Sequence, residues 1–301
     1  MNSLLELIPS IVNLGISMII QVVLQGFLIS GLYALIAVGF TLIFSVGRVM
    51  NLAYGIYIML GGYTYYTLFQ VLEFSKVISL LGAVMVGILF GIITYYGIVK
   101  RLLNNPIAVE ISTLILAVVM QAVIILLFSP APKAIWPIIS GTTRVGDILV
   151  TWNIFFAMVT SWVVLGALLV FIKKTQLGRA IMAVSMDPKG ALLSGVDPER
   201  INILVWGLSG ALGALAGVFF ASYTQLDPTM WVTPLITAVA VVIIGGVGSI
   251  IGSLVAAHIV GFMETITTTL IAPELRGVFT LILIILILVV LPKGLFGKAE
   301  L

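Results

Sequence analysis

Long charge-free runs fill the chain, separated by short clusters of charged and turn-forming residues. The runs are Leu7–Gly47, Val49–Leu72, Val77–Val99, Ile111–Pro132, Ile148–Ile172, Ile201–Leu226, Pro228–Met263 and Gly277–Pro292. Most match the stretch of about 20 apolar residues that one helix needs to cross the hydrocarbon. The first is roughly twice that length, as is most of Pro228–Met263, so each is expected to hold two passes or a broken helix. Open sheets cannot span lipid. The pattern therefore predicts an all-α integral membrane protein, a bundle of about 8 to 10 transmembrane, broken or re-entrant helices. Residues 1–301 are expected to form a single membrane domain.

Charge then sets the direction of the bundle. Basic residues gather in three places: Lys100 with Arg101, the segment holding Lys173, Lys174, Arg179, Lys189 and Arg200, and the C-terminal Lys293 and Lys298. Basic loops stay on the cytoplasmic side of a membrane. With all three regions inside, only Lys76, Lys133, Arg144 and Arg276 fall outside, and Arg48 is uncommitted. The passes alternate correctly if Pro228–Met263 and the residues just beyond it make two passes that turn near Gly245–Ser249 (GGVGS). The C-terminus is then cytoplasmic, in a multi-pass protein of the cell (inner) membrane. The N-terminal stretch contains Glu6 and lacks a cationic leader pattern, so the first apolar run is expected to remain in the mature chain.

Composition fits this picture and narrows the chemistry. Of 301 residues, 61% are hydrophobic and 8% charged, with a mean hydropathy of +1.30. Soluble domains carry roughly a quarter charged residues, so the bilayer must be the solvent. No nucleic-acid partner is expected. There is no Cys and a single His, His258, which removes disulfides, thiolate metal sites and a Cys nucleophile. No carboxylate pair, Ser/His couple or metal cluster lies inside a span, so the chain does not read as an enzyme. It also lacks a GxxxxGK[ST] phosphate loop. Any ATP would be bound and hydrolysed on other subunits, and no cofactor is expected on this one.

The segment Lys173–Asn202 is the longest polar excursion. Gly178–Met186 is amphipathic, Asp187 and Pro188 make an N-cap and first-turn pair for a helix over Lys189–Leu193, and Gly195 stops it. Asp197 and Pro198 start the next membrane helix. A compact helix pair of mixed charge with exposed apolar residues suits docking against another protein; a plain solvated connector is the alternative. Glycines concentrate in Gly31–Gly62 and again from Gly207 to Gly252, a pattern of close helix packing or of discontinuous helices around a midplane site.

LGRAIMAVSMDPKGALLSGVDPERI at this loop resembles the cytoplasmic coupling loop of ABC-transporter permeases of the branched-chain amino-acid (LivH-type) family. GLYALIAVGFTLIFSVGRVMNLAYGIYIMLGGY (from Gly31) resembles that family's opening signature, and AVVIIGGVGSIIGSLVAA (Ala240–Ala257) its glycine-rich later one. The three motifs occur in family order over nearly the whole chain. The resemblance implies a pore-forming subunit of an ATP-driven importer for branched-chain or other small amphipathic amino acids. Its partners would be a second homologous permease, two cytoplasmic ATPase subunits and an extracytoplasmic solute-binding protein. It also implies a coupling role for Gly178, Arg179, Asp187, Gly190 and Gly195. Where the family commonly has His, Gly and Glu after the N-terminal Asn, this chain has Tyr54, Gly55 and Ile56 after Asn51, so an ionisable pair is replaced by a phenol and an aliphatic side chain.

Ionisable groups inside spans are costly and are functional candidates. If helical, Arg48, Asn51 and Tyr54 share one face; Arg48 then serves the pathway or a gate, or else snorkels to the headgroups. The path is expected to be largely apolar with hydrogen-bonding rims from Tyr33, Thr41, Ser45, Asn51 and Tyr54. His258 reads as a packed histidine, Glu110 and Glu264 as interfacial, and Gln21, Gln25 and Gln121 as helix-bridging groups. The scarcity of charge disfavours a proton-coupled carrier. A passive small-solute channel is the chief rival, though it leaves the elaborated cytoplasmic helix pair without a purpose.

Overall fold

The computed structural model describes residues 2–145, 148–272, 275 and 277–297, with side chains from residue 18 onward except at 145 and 148. Lys298 and Arg276, placed above by charge, lie outside the described residues. Helix α1 (Asn2–Gly47) is one unbroken rod of 46 residues, so the first long run is neither two passes nor a broken helix. Its part from Met18 is the apolar span. A non-helical stretch, 48–53, that ends in a turn separates it from α2 (Tyr54–Tyr66), which continues as a π-helical turn over Thr67–Val71. Helix α3 (Lys76–Thr94) likewise passes through a π turn, Tyr95–Val99, into the short α4 (Lys100–Leu102). Lys100 and Arg101 therefore sit on a closing helical turn rather than in a loop, where a cation favours the helix dipole.

Helix α5 (Pro106–Phe128) starts at an Asn105 side chain that accepts from Ala108 N at 3.2 Å, followed by proline in the first turn. A small antiparallel hairpin, β1 (Thr142–Val145) and β2 (Ile148–Thr151), precedes α6 (Trp152–Lys174). It occupies the residues expected to open the span at Ile148. Next come α7 (Gln176–Met186), α8 (Pro188–Leu193) and α9 (Pro198–Tyr223). The run from Pro228 divides into α10 (Val232–Gly245) and α11 (Ile250–Ile266, extended by a π turn to Ile271). These two helices turn at residues 246–249, as expected from GGVGS. At 14 residues, α10 is about 21 Å long, short of the ~30 Å hydrocarbon core, and it is a half-helix. Helix α12 (Val278–Val290) completes the bundle. Among the described residues, six helices are long and apolar enough to cross a membrane, and α10 and α12 are shorter apolar ones.

Helix α1 is the hub. It packs on α6, α9, α10 and α11, while α9 also packs on α2 and α3. The spans of α1 and α9 are 89% and 72% buried, whereas α5 and α6 are 17% and 22%, so the first pair forms the core and the second an outer shell. On α3, Ile78, Leu81, Met85, Leu89 and Ile93 are exposed at three- and four-residue spacing, a continuous apolar stripe along one side. Glycines bring the core helices together: a methyl on Gly87 or Gly210 would strike the other's carbonyl, joining α3 to α9, and one on Gly217 would strike that of Ile58, joining α9 to α2.

The basic clusters meet at one end of the bundle. Lys100 Nζ pairs with Glu199 Oε1 at the start of α9. Gly248 lies beside Ser45, and Leu295 N and Phe296 N donate to the carbonyls of Ile244 and Gly245 at the end of α10. Lys293 therefore shares that end with α7 and α8.

Candidate functional site

Two regions gather the polar side chains. The first lies inside the bundle. Tyr33, Thr41 and Ser45 recur at multiples of four residues on α1, along the stripe that faces α11 and its preceding turn. Tyr33 Oη donates to Glu264 Oε1 at 2.7 Å, the hydroxyls of Thr41 and Ser253 share a 2.6 Å hydrogen bond, and Ser45 Oγ donates to Leu42 O at 2.9 Å. Glu264 is buried and is thus not interfacial: Tyr33 reaches it from α1, inside the protein. Its presence in an apolar span was the only signal available in the sequence.

Asn51 and Tyr54 belong to a different part of the interior. The Asn51 side chain donates to Tyr57 Oη at 2.9 Å and accepts from Ala53 N at 3.0 Å, an Asx turn that sets up the start of α2. Tyr54 is fully buried, its ring edge-on to Phe40 and Tyr57 with centroids 5.7 Å away in each case. Ile56 is equally buried, so the two residues that stand in place of the family's His and Glu are packed inward. Arg48 joins neither group. It is exposed and takes φ +51°, which breaks the helix. The shared helical face expected for Arg48, Asn51 and Tyr54 does not exist, because 48–53 is not helical. Arg48 instead donates through Nη2 to the carbonyls of Met186 at 2.8 Å and Ser185 at 3.3 Å.

Other bridging groups behave as glue. Trp231 Nε1 donates to Gln121 Oε1 at 2.7 Å, fixing the entry to α10 against α5, and Ser209 Oγ donates to Gly39 O, fixing α9 to α1. His258 is packed: Nδ1 lies 2.8 Å from Leu254 O, and the ring sits against Trp162 with centroids 5.2 Å apart. It lines an apolar groove with Phe27, Trp162, Leu254 and Phe262, away from the six pathway candidates.

The second region is the helix pair α7–α8. Thr175 Oγ1 accepts from Gly178 N at 2.9 Å, so α7 starts two residues before the expected Gly178. A side chain at Gly178 would strike the backbone of Phe171 and Ile172, and this absence lets α7 fold sharply back on the end of α6. Asp187 caps α8 by accepting from Lys189 N at 3.0 Å, and Asp197 caps α9 by accepting from Glu199 N at 2.9 Å. Gly190 lies against Asp187, where a Cβ would come 2.7 Å from its carboxylate. Gly195, at φ +82°, ends α8 with Gly195 N bonded to Leu192 O and Val196 N to Ala191 O, the Schellman pattern that needs a left-handed residue. Ile181, Val184 and Ala191 turn inward, while Leu177, Met182, Met186, Leu192 and Leu193 are exposed, Leu193 at 91%. Arg179 is exposed on the same pair.

Comparison with known proteins gives the family. Residues 22–288 match the profile of the family described as branched-chain amino acid transport system / permease component. The chain is 27% identical over 300 residues to the high-affinity branched-chain amino acid transport system permease protein LivH of Escherichia coli K12, covering 93% of this chain and 96% of that one. It is 29% identical over 296 residues to the probable LivH permease of Methanocaldococcus jannaschii, covering 92% of each. With BraD of Pseudomonas aeruginosa it shares 26% over 297 residues, covering 93% and 96%. No solved structure matches the chain. The relatives are named as transport permeases, which places the chain among transport subunits rather than enzymes and gives the passive-channel reading no support. Matched from near the middle of α1 to near the end of α12, the chain belongs to the branched-chain amino acid transport permease family.

Proposed function

We propose that this chain is the pore-forming permease subunit of an ATP-binding-cassette importer for branched-chain or other small amphipathic amino acids, and that α7–α8 receives the stroke of an ATPase partner. The observation that carries the reading is the exposed row Leu177, Met182, Met186, Leu192 and Leu193 at the end of the bundle where the basic residues collect. Basic residues favour the cytoplasm, so this end and the C-terminal segment at Lys293 face inward in the cell (inner) membrane. An apolar row on a capped, rigid helix pair outside the lipid suits a protein groove, the helix-in-groove mode of recognition. ATP would be held by two such cytoplasmic subunits. A second homologous permease would complete the path, and an extracytoplasmic binding protein would deliver the solute. The resemblance of the coupling loop supports the same set of partners.

The test is co-purification from native membranes in mild detergent, for the native chain and Leu193→Glu, with uptake of labelled leucine measured in the same strains. The native chain should carry two ATPase subunits in stoichiometric amounts. Leu193→Glu should lose them, at a cost of about 2 kcal/mol or more for an anchoring contact, while the chain still elutes as a single species. A native chain that purifies alone while its membranes retain full uptake refutes the reading.

A further inference from the structure

The geometry points to Arg48 as a positioning residue, a strut that transmits movement of α7–α8 to the buried start of α2. Three observations meet at this residue. The last carbonyls of a helix have no partner within it, and at the end of α7 the carbonyls of Ser185 and Met186 are taken by the Arg48 guanidinium, at 3.3 and 2.8 Å. A cation there also meets the negative end of the helix dipole, so the contact is charge-assisted. Second, Arg48 holds φ +51°, a conformation a non-glycine residue adopts only when its surroundings impose it. The side chain thereby leaves the axis of α1 and reaches across to α7. Third, the chain just beyond is fixed. Val49 is buried, and Asn51, three residues on, is fully buried and bonded to both Ala53 N and Tyr57 Oη. Tyr54 N also donates to Asn51 O at 3.1 Å.

A displacement of the α7–α8 junction thus pulls on Arg48, and through residues 49–51 on the first turn of α2. This route bypasses the long helices. Helix α1 is held to α11 by Tyr33–Glu264 and Thr41–Ser253, whereas 48–53 is a non-helical joint. The proposal deepens the importer reading and rests on it for the origin of the stroke; the strut itself is a property of this chain.

Arg48→Gly is the informative variant. Glycine accepts the left-handed backbone without strain, so the joint keeps its shape while the guanidinium is lost. Arg48→Lys keeps the charge but not the two-carbonyl fork. The complex as it co-purifies would be reconstituted in proteoliposomes, and leucine uptake and ATP hydrolysis measured together. Arg48→Gly should leave hydrolysis and assembly intact and lower the solute moved per ATP by about tenfold, the worth of one charge-assisted hydrogen bond. Arg48→Lys should recover part of that loss. Hydrogen exchange on the full chain gives a second readout that needs no ATPase: in Arg48→Gly, protection should fall together at residues 183–187 and 51–57. Unchanged solute per ATP overturns the inference, and so does exchange that rises only at 183–187 or that rises throughout the bundle in both variants. If the native chain brings down no ATPase, the importer reading falls, and the exchange pattern still decides the strut.

Discussion

Gly210→Ala tests whether close helix approach, rather than backbone freedom, explains the glycines of the core. At residue 210 a methyl group would sit 2.8 Å from the carbonyl carbon of Gly87 and nearer still to its oxygen. Carbon atoms prefer about 3.5–4.0 Å. Both obstructing atoms are main-chain, so no rotamer change relieves the overlap, and α3 must part from α9 by roughly 1 Å. Overpacking of this kind costs about 1–3 kcal/mol, and a rigid neighbour puts it at the upper end. Alanine returns about 1 kcal/mol through helix propensity, which leaves a net destabilisation of about 2 kcal/mol. Gly166→Ala on α6 is the matched control. Gly166 is exposed and a methyl there meets nothing within 4 Å, so the same change should stabilise by about 1 kcal/mol. Thermal unfolding in one mild detergent should move the two midpoints in opposite directions. A Gly210→Ala protein that melts at or above the native temperature refutes the packing argument, because the overlap would then cost no more than helix propensity returns.

Two further outcomes follow from the site. Gly190→Trp forces the side chain into the space of the Asp187 carboxylate, so it should block uptake without lowering membrane abundance; unchanged uptake would remove the coupling role of α8. Tyr33→Phe and Glu264→Gln, combined in a double-mutant cycle of unfolding, should show a coupling of roughly 0.6 kcal/mol, the usual size for a hydrogen bond between membrane helices; additive effects would mean the 2.7 Å contact contributes nothing.

Local signals were the legible ones. Asp187–Pro188 and Asp197–Pro198 start helices because cap and first-turn chemistry act over three or four residues, and Gly195 closes α8 for the same reason. The turn at 246–249 was visible in its glycines. The end of α1 was not. The positive φ falls on Arg48 rather than on Gly47 beside it, and no propensity marks arginine as a helix breaker. What holds it there is the distant end of α7, more than a hundred residues away. The hairpin at 142–151 was concealed because the β-branched residues of Thr142, Thr143, Val145, Ile148, Val150 and Thr151 are as apolar in part as a span. The pathway candidates were chosen as polar groups in apolar runs, and that criterion finds buried hydrogen-bonding residues without telling helix glue from lumen. Tyr33 and Thr41 bond to α11, a fact carried by pairing across more than two hundred residues.

Those same bonds limit how the bundle can move. Hydrocarbon offers no replacement partner for a broken hydrogen bond, and sliding α1 along α11 would break Tyr33–Glu264 and Thr41–Ser253 together. The two contacts are eight residues apart on α1, about 12 Å of helix, and tilting one helix against the other cannot keep both. Ser209 to Gly39 adds the same restraint between α1 and α9, and the Gly87–Gly210 crossing adds α3. Helices α1, α3, α9 and α11 are therefore tied into one body. The backbone is not helical at 48–53, at 224–231 before α10, and at 246–249 after it. Two of these joints flank the half-helix α10 and one precedes α2, whose Gly55 lies against Trp231 at the head of α10. On the importer reading, a stroke at α7–α8 is best delivered to these short elements, because they can shift without breaking the hydrogen bonds that hold α1, α9 and α11 together.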